Sequence, residues 1–410
     1  NDAPTATDNG LSSIAEDSGD RTISFASLTG DDSTGPTNES GQALTITSVT
    51  NVVGGSIAII GTDLIFTPTL NFNGAASFDY VVRDNGTTNG SNDFKSDTGH
   101  VTFTITEVNN APNALTDPLS SVAEDLPVRT IPIAALIAND NPGPANESGQ
   151  SLTFLSVSNP VGGTVIISGP DVLFTPTAEF NGLAGFDYVI EDNGTTNGGA
   201  DSKSSTGHVT FTITEVNDAP LATDDGLSSI AEDSGDRTIA FADLTGNDSA
   251  GPANENTQIL SVASVSNVVG GSIAIIGTDL IFTPTLNFSG AASFDYLVQD
   301  DGTTNGVLDF LSDSGHVTFT ITDVNDAPMA GADPLSSVAE GSTARLIPIA
   351  DLISNDNPGP AGEIGQALTF VSVGNPVGGT VIITGTDVEF TPLPEFNGAA
   401  SFEYVIEDNG

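Results

Sequence analysis

The sequence predicts an all-β protein: a tandem array of seven-stranded Greek-key β-sandwiches, the last of which lacks its final strand. A unit of 108 residues is written almost four times, because Asn-Asp-Ala-Pro begins at Asn1, Asn217 and Asn325, and Asn-Asn-Ala-Pro begins at Asn109. Within each unit, short runs of alternating apolar and polar residues are separated by turns rich in Gly and Asn. A period of this length indicates whole domains, since solenoid repeats are shorter.

The first repeat predicts seven strands, A to G, at Leu11–Ile14, Arg21–Phe25, Leu44–Val49, Ser56–Ile60, Asp63–Thr67, Ser77–Arg83 and His100–Val108. Strand G has the clearest pattern, because Val101, Phe103 and Ile105 alternate with threonines. Ala26–Leu28 predicts one short helical turn. Seven short strands with turn signals at this spacing favour a two-sheet sandwich of immunoglobulin or cadherin type.

The period predicts four domains: residues 1–108, 109–216, 217–324 and 325–410. Repeats 1 and 3 are most similar to each other, as are repeats 2 and 4, so the order is ABAB. The chain starts directly at a junction motif and stops before strand G of the fourth repeat. We therefore interpret it as an excerpt of a longer array.

The composition excludes several classes of partner. The chain has 54 acidic and 7 basic residues, for a net charge of −47, and nucleic acid needs a basic face. An anionic membrane surface is disfavoured for the same reason, and no apolar stretch approaches the roughly 20 residues that span a bilayer. The chain has no Cys, hence no disulfide or thiolate site. Folded domains this acidic repel themselves unless cations neutralise them.

Two aromatic residue types each recur at a single repeat position. We expect the tyrosines to lie in the core with their hydroxyl groups bonded to the backbone. We expect a structural role for the histidines, because residues in separate domains cannot form one site. The two sets are Tyr80, Tyr188, Tyr296 and Tyr404, and His100, His208 and His316.

The order of the strands predicts where the acidic loops meet. The A–B turn and the end of strand G lie at the lower end of one domain, and the B–C and F–G loops lie at the upper end of the next. Ca²⁺ takes six to eight oxygen ligands, which these loops offer. The sequence therefore predicts Ca²⁺ at each junction. The alternative is that these acids are solvated loop residues, since loops favour Asp, Asn and Gly.

The predicted ligands form three sets, each drawn from the lower turn, the linker and the upper loops. At the first junction they are Glu16, Asp17, Glu107, Asn109, Asp140 and Asp192. At the second junction they are Glu124, Asp125, Glu215, Asn217, Asp218, Asp248 and Asp300. At the third junction they are Glu232, Asp233, Asp323, Asn325, Asp326, Asp356 and Asp408.

Two linkers, Glu-Val-Asn-Asp-Ala-Pro at 215–220 and Asp-Val-Asn-Asp-Ala-Pro at 323–328, are similar to the linker motif of cadherins. The wider pattern, including Ala-Glu-Asp at 15–17 and Phe-Asp-Tyr followed by Asp-Asn-Gly-Thr-Thr-Asn-Gly at 78–90, resembles the bacterial cadherin-like tandem repeats of giant surface adhesins. The resemblance covers the whole chain. It implies a β-sandwich, linkers stiffened by Ca²⁺ and a role in extracellular adhesion.

The sequence also departs from that pattern. Animal cadherins carry an acidic Asp-Arg-Glu in the E–F turn, whereas residues 71–74 read Asn-Phe-Asn-Gly. Repeat 1 ends in Asn110 in place of Asp, and repeat 4 has Glu340-Gly341 in place of Glu-Asp. We therefore expect one or two ions per junction and uneven affinity.

These observations predict a structural stalk of a bacterial surface adhesin, located outside the cell at the cell surface or in a matrix. The expected partners are neighbouring repeats, other copies in a fibre, and a surface or glycan ligand bound by modules outside this chain. The alternative is a subunit of a self-assembling extracellular filament or sheath. Carbohydrate binding ranks third, because the chain has no Trp for a stacking platform. No enzyme is expected, because no nucleophile–base pair recurs in a pocket-like context.

Overall fold

The computed structural model describes residues 1–410 and divides into two compact units, Asn1–Glu215 and Val216–Gly410. Each unit holds two of the sequence repeats. Strands dominate both units and the helices are single turns, so the all-β prediction is confirmed. None of the helices is long and apolar enough to span a membrane.

In the first unit, the two repeats contain the same elements in the same order. Repeat 1 contains β1 (Asn9–Gly10), β2 (Ile14–Ala15), β3 (Arg21–Ser24), α1 (Phe25–Thr29), β4 (Thr45–Val53), β5 (Gly55–Ile60), β6 (Asp63–Pro68), β7 (Gly74–Arg83), β8 (Thr87–Thr88), β9 (Ser91–Asn92) and β10 (Ser96–Thr106). Repeat 2 contains β11 (Thr116–Pro118), β12 (Val122–Ala123), β13 (Arg129–Pro132), α2 (Ile133–Leu136), β14 (Thr153–Val161), β15 (Gly163–Ser168), β16 (Asp171–Pro176), β17 (Gly182–Glu191), β18 (Thr195–Thr196), β19 (Gly199–Ala200) and β20 (Ser204–Thr214).

In the second unit, repeat 3 has the full set of strands and repeat 4 has fewer. Repeat 3 contains β21 (Asp225–Gly226), β22 (Ile230–Ala231), β23 (Arg237–Ala240), α3 (Phe241–Thr245), β24 (Ser261–Val269), β25 (Gly271–Ile276), β26 (Asp279–Pro284), β27 (Gly290–Gln299), β28 (Thr303–Thr304), β29 (Val307–Leu308) and β30 (Ser312–Thr322). Repeat 4 contains β31 (Arg345–Pro348), α4 (Ile349–Leu352), β32 (Thr369–Val377), β33 (Gly379–Thr384), β34 (Asp387–Pro392) and β35 (Ser401–Glu407). Short 3-10 turns lie at Thr37–Glu39, Ala145–Glu147, Ile353–Asn355 and Ala361–Glu363.

The strands of repeat 1 form two sheets of a Greek-key sandwich. One sheet has the order β1-β10-β7-β4, with β2 also paired to β10, and the other has the order β3-β6-β5. The first two strands run parallel to β10, and all other pairs are antiparallel. The turn after β2 and the end of β10 therefore lie at the same end of the sandwich, as predicted.

Predicted strands B to G are confirmed with modest shifts at their ends, but the bounds of strand A are wrong. The segment pairs at Gly10↔Thr102 and again at Ile14↔Ile105, so it has one more residue than its partner between these two points. Such an extra residue forms a bulge that interrupts the ladder. Repeat 4 has no strand A, because the strand G that would pair with it is not in the chain.

The core lies between the two sheets of each repeat. In repeat 1 the inward side chains of β7 and β10 alternate with exposed ones, and Phe78, Val101 and Ile105 are at most 1% exposed. Phe66 packs edge-on against Phe103, with ring centroids 5.0 Å apart. These contacts bury the apolar positions that the alternation predicts.

Three of the four repeated tyrosines lie in the core as predicted, whereas Tyr404 is half-buried. Tyr80, Tyr188 and Tyr296 are at most 1% exposed, and each hydroxyl lies 3.1–3.4 Å from two backbone carbonyl oxygens. The histidines lie on the opposite face of the sheet, where His208 Nδ1 is 2.6 Å from Asp187 Oδ1 on the neighbouring strand.

A glycine on the last strand makes room for each of these tyrosine rings. A Cβ atom at Gly207 would collide with the ring and hydroxyl of Tyr188. We predict that Gly207→Ala lowers the free energy of unfolding of repeat 2 by about 1–3 kcal/mol, since overpacking displaces the ring. Gly149→Ala is the matched control, because a Cβ there has no neighbour within 4 Å. Denaturant unfolding should separate the two variants, and equal midpoints would contradict this explanation of the glycine.

Candidate metal centre

The turn after β2 places two carboxylates beneath the linker to the next repeat. The backbone N–H of Glu16 donates to Thr106 O at 2.8 Å, which fixes the turn against the end of β10. Glu16 Oε1 then accepts a 2.7 Å bond from the N–H of Val108, and Asp17 Oδ1 accepts a 2.7 Å bond from the N–H of Asn71. Both side chains are thereby held at the lower end of repeat 1.

The second residue of this turn needs a left-handed backbone. Its φ angle is +56° at Asp17, +64° at Asp125 and +54° at Asp233. Asp adopts this conformation more readily than most residues, and Gly does so without strain. Gly341, with φ +71°, therefore preserves the turn in repeat 4 while removing one carboxylate.

The linker residue Asn109 closes the upper end of repeat 2. Its Nδ2 donates to Asp192 Oδ1 at 2.8 Å, and its Oδ1 accepts from Gln150 Nε2 at 2.7 Å. Asn109 and Asp192 are each 3% exposed. A Cβ at Gly194 would collide with the Asn109 side chain, which explains the glycine that follows Asp-Asn in the loop.

Glu147, which was not among the predicted ligands, lies at the centre of the same site. It ends the 3-10 turn Ala145–Glu147, is 3% exposed, and its Oε1 accepts a 2.6 Å bond from the linker N–H of Asn110. Its Oε2 lies against Gly143, where a Cβ would overlap it and where φ is +143°. The repeat numbering could have revealed this residue, because acidic residues recur at Glu39, Glu147, Glu255 and Glu363.

The electrostatic environment of Glu147 is negative. Burial raises its pKa, and the hydrogen bond from Asn110 partly opposes this rise. The negative charges of Asp192, Glu16 and Glu107 raise the pKa further. None of the ion pairs in the chain brings a basic side chain to these carboxylates.

Direct contacts join the two repeats across this first junction. Asn146 Nδ2 donates to Glu16 Oε2 at 3.1 Å, and Thr195 Oγ1 donates to the Glu107 carboxylate at 3.1 Å. The structure therefore gathers most of the predicted first set around the linker. The members that lie there are Glu16, Asp17, Glu107, Asn109 and Asp192.

One aspartate of each predicted set lies elsewhere. Asp140 Oδ1 accepts a 2.7 Å bond from the N–H of Leu115, and its carboxylate accepts from the Tyr188 hydroxyl at 3.0–3.1 Å. Its two copies make the same contacts with the corresponding tyrosines. These residues are bonded inside their own repeats and leave the candidate ligand set: Asp140, Asp248 and Asp356.

The oxygen atoms of the first junction fit a hard cation. Glu147 Oε2 and Asp192 Oδ2 are buried and have no hydrogen-bond partner. A buried carboxylate without a counter-charge is costly, and each close pair of like charges adds about 1–4 kcal/mol. Carboxylate and amide oxygens without nitrogen or sulfur ligands are the donors that Ca²⁺ prefers. Glu16, Asp17 and Glu107 would supply further oxygens to an ion held there.

The third junction, inside the second unit, repeats this arrangement. Glu232 Oε1 accepts a 2.7 Å bond from the N–H of Val324, and Glu363 Oε1 accepts a 2.6 Å bond from the N–H of Asp326. Glu232 and Glu363 are 6% and 4% exposed, and Glu363 Oε2 is buried without a partner.

The rest of the third set is more open than the first. Asn325 Nδ2 donates to Asp408 Oδ1 at 2.8 Å, but the asparagine is exposed, as is Asp323. Asp233 Oδ1 accepts a 2.8 Å bond from the N–H of Asn287. Asn325 is exposed because the segment that covers Asn109 in repeat 2, which includes Thr196 and Asp201, has no counterpart among residues 325–410.

The second predicted set is divided between the two units. In the first unit, Glu124 is 2% exposed, and Asp125 and Glu215 are more accessible. In the second unit, Asn217 Nδ2 donates to Asp300 Oδ1 at 3.1 Å, and the N–H of Asp218 donates to Glu255 Oε1 at 2.8 Å. The half in the second unit therefore repeats the hydrogen bonds that the linker makes with repeat 2 at the first junction.

Comparison with known protein families gives two alternating matches. A family model described as a cadherin-like domain matches residues 1–102 and 216–310, and one described as a bacterial Ig domain matches residues 109–214 and 325–410. This alternation agrees with the ABAB order of the repeats. No curated protein matches the chain.

Solved structures of animal cadherins are similar in fold. Mouse cadherin-23 EC22-24 has 11% identity over 79% of this chain and 100% of its own, with a TM-score of 0.44. Domains 3–6 of protocadherin gamma B2 have 12% identity over 70% of each chain, with a TM-score of 0.35. Human mucin-like protocadherin EC1-2 has 16% identity over 53% of this chain and 100% of its own, with a TM-score of 0.30.

The contacts of Asn109 predict that it stabilises repeat 2 with or without metal. Replacing Asn109 with Ala removes three hydrogen bonds of a buried side chain, those from its Nδ2 to Asp192 Oδ1 and Asp201 O and that from Gln150 Nε2 to its Oδ1. We expect a loss of about 1–3 kcal/mol in the free energy of unfolding, in calcium and in chelator alike. Asn113→Ala, at an exposed linker position, should change it by less than about 0.5 kcal/mol. Urea unfolding in both buffers tests this; a loss confined to calcium would show that the side chain acts only as a ligand.

Proposed function

Because the chain is a tandem array of cadherin-like and bacterial Ig domains, we propose that it is a calcium-stiffened stalk of an extracellular bacterial adhesin. Each of the four repeats, 1–108, 109–216, 217–324 and 325–410, is one domain of this stalk. The stalk projects or links binding modules at a cell surface or in a matrix, and it has no catalytic role.

The observation that carries this proposal is the buried, uncompensated charge at the first junction. Glu16, Glu147 and Asp192 are at most 3% exposed and converge on one linker without a basic partner. Without a cation, their repulsion opposes the close approach of the two repeats. A bound Ca²⁺ would supply the missing positive charge and tie the lower turn of repeat 1 to the upper loops of repeat 2.

Binding of an ion between repeats couples calcium to both stability and stiffness. A ligand that binds only the folded, docked state stabilises that state in proportion to its affinity and concentration. Localisation outside the cell agrees with this requirement, because calcium there is not kept at a low level by the cell.

We predict that removing calcium makes the chain flexible and less stable. The measurement is small-angle scattering together with thermal unfolding of the full chain, in calcium and in chelator. Calcium should extend and stiffen the scattering envelope, and it should raise the melting temperature. Magnesium at equal concentration controls for non-specific screening, since it dehydrates reluctantly and demands stricter geometry. Identical curves in all three buffers would refute the proposal, and a mass that grows with protein concentration would favour the filament subunit.

We predict that Glu147→Gln has opposite effects in the two buffers. In chelator the neutral amide removes an uncompensated buried charge, so the melting temperature should rise. In calcium the variant lacks one carboxylate ligand, so the affinity of the first junction should fall about tenfold, or roughly 1.4 kcal/mol. Asp31→Asn, at an exposed position in repeat 1, is the matched control and should change neither value. A shift of the same sign in both buffers would rule out a ligand role for Glu147.

A further inference from the structure

Inside each repeat, the buried tyrosine hydroxyl is surrounded by more acceptors than it can satisfy. In repeat 2 the Tyr188 hydroxyl lies 3.2 Å from Leu115 O, 3.4 Å from Leu136 O and 3.0–3.1 Å from the Asp140 carboxylate. A phenol has one hydrogen to donate. Only one of these acceptor oxygens can receive the phenol hydrogen. The others lie close together without a hydrogen between them unless a second donor is present.

A second carboxylate, Asp117, enters the same cluster. It is 7% exposed, it contacts the Tyr188 hydroxyl, and its buried Oδ2 has no hydrogen-bond partner. The Asp140 carboxylate differs from that of Asp117 in that its Oδ1 accepts a bond from the backbone N–H of Leu115. Repeat 3 has the same arrangement, since Asp225 Oδ2 is buried without a partner beside Tyr296.

Repeat 1 contains an amide where these carboxylates lie. Asn9 occupies the position of Asp117, and its Nδ2 donates to Thr7 O at 2.9 Å, to Leu28 O at 3.1 Å and to the Tyr80 hydroxyl at 3.2 Å. In repeat 2 the corresponding acceptors are Leu115 O, Leu136 O and the Tyr188 hydroxyl. In repeat 1, therefore, the chain itself supplies the missing hydrogen from an N–H group.

We propose that Asp117 and Asp225 are proton-binding sites: each keeps a proton at neutral pH and uses it to donate one of the hydrogen bonds that Asn9 makes in repeat 1. A carboxylic acid has nearly the same shape as an asparagine amide and also combines a donor group with an acceptor oxygen, although it has one hydrogen to donate where the amide has two. The proposal is confined to repeats 2 and 3, because Tyr404 in repeat 4 is only half-buried.

The surrounding charges support retention of the proton. Asp117 faces Asp140 and Tyr188, and no basic group contributes to its environment. Burial raises the pKa of Asp117, hydrogen bonds from Tyr188 and Asn139 oppose the rise, and the charge of Asp140 adds to it.

The site in repeat 3 has the same balance. Asp225 faces Tyr296, Asp248 and Asp224, again without a cation. Burial raises the pKa of Asp225, the charges of Asp248 and Asp224 add to the rise, and hydrogen bonds from Tyr296 and Asn247 oppose it. Because the pKa in the folded state lies above the unfolded-state value of about 3.9, the bound proton stabilises the fold, and this stabilisation is complete at a pH below about 3.9. This stabilisation is lost as the pH rises through the folded-state pKa.

The test compares the full chain with Asp117→Asn/Asp225→Asn, in chelator so that the junctions are metal-free. Infrared difference spectra at pH 7 should show the C=O stretch of protonated carboxyl groups in the unsubstituted chain, and this band should vanish in the double variant. The melting temperature of the double variant should exceed that of the unsubstituted chain increasingly as the pH is raised from 5 to 8. Asn is already accommodated at this position in repeat 1, so the variant is expected to fold.

Two further variants make the result specific. Asn9→Asp should add a protonated carboxyl band and make repeat 1 lose stability as the pH rises. Asp187→Asn is the control, because hydrogen bonds from Asn159 and His208 hold the pKa of Asp187 below its usual range, so no band should be lost. Absence of the band at pH 7 in the unsubstituted chain would overturn the proposal. A second result would also overturn it. If Na⁺ or K⁺ raised the melting temperature at pH 8 more in the unsubstituted chain than in the double variant, a metal cation would fill the site in place of the proton.

Discussion

Repulsion between carboxylates that have almost no basic partners is the constraint on which the rest of the structure depends. With 54 acidic and 7 basic residues, the chain cannot neutralise its own charge by ion pairing. Much of that charge is spread over exposed loops, where water screens it. At the first junction, however, Glu16, Glu147 and Asp192 are buried, and their oxygens need a positive charge that the chain does not provide.

The sandwich fold brings these groups together through its strand directions. Because β2 and β10 run parallel, the turn that carries Glu16 and the strand end that carries Glu107 leave the sandwich at the same end. The loops of the next repeat close on the linker through Asp192 and Glu147, which accept hydrogen bonds from the Asn109 side chain and the N–H of Asn110. The positions of the ligands are thus set by the rigid sheets, while the linker itself contributes only a few polar atoms.

The sequence alone predicts the sheets and most of the junction residues, for identifiable reasons. Alternation in Val101, Phe103 and Ile105 is a local signal, and the 108-residue period places Glu16 and Asp192 at opposite ends of adjoining repeats. Local patterns could not distinguish Asp140 from Glu147, since both lie in one acidic loop. Asp140 bonds to Tyr188, which is 48 residues away, and this contact depends on how the strands are paired. The bulge in the first strand depends in the same way on its partner.

The most direct measurement is an anomalous-scattering map of the chain crystallised in calcium. Our account predicts a metal peak between the lower turn of repeat 1 and the upper loops of repeat 2, ligated by oxygens of Glu16, Glu147 and Asp192. It also predicts a peak at the junction between repeats 3 and 4, ligated by oxygens of Glu232 and Glu363. An ordered first junction that contains only water, at millimolar calcium, would contradict the claim that a cation neutralises these carboxylates.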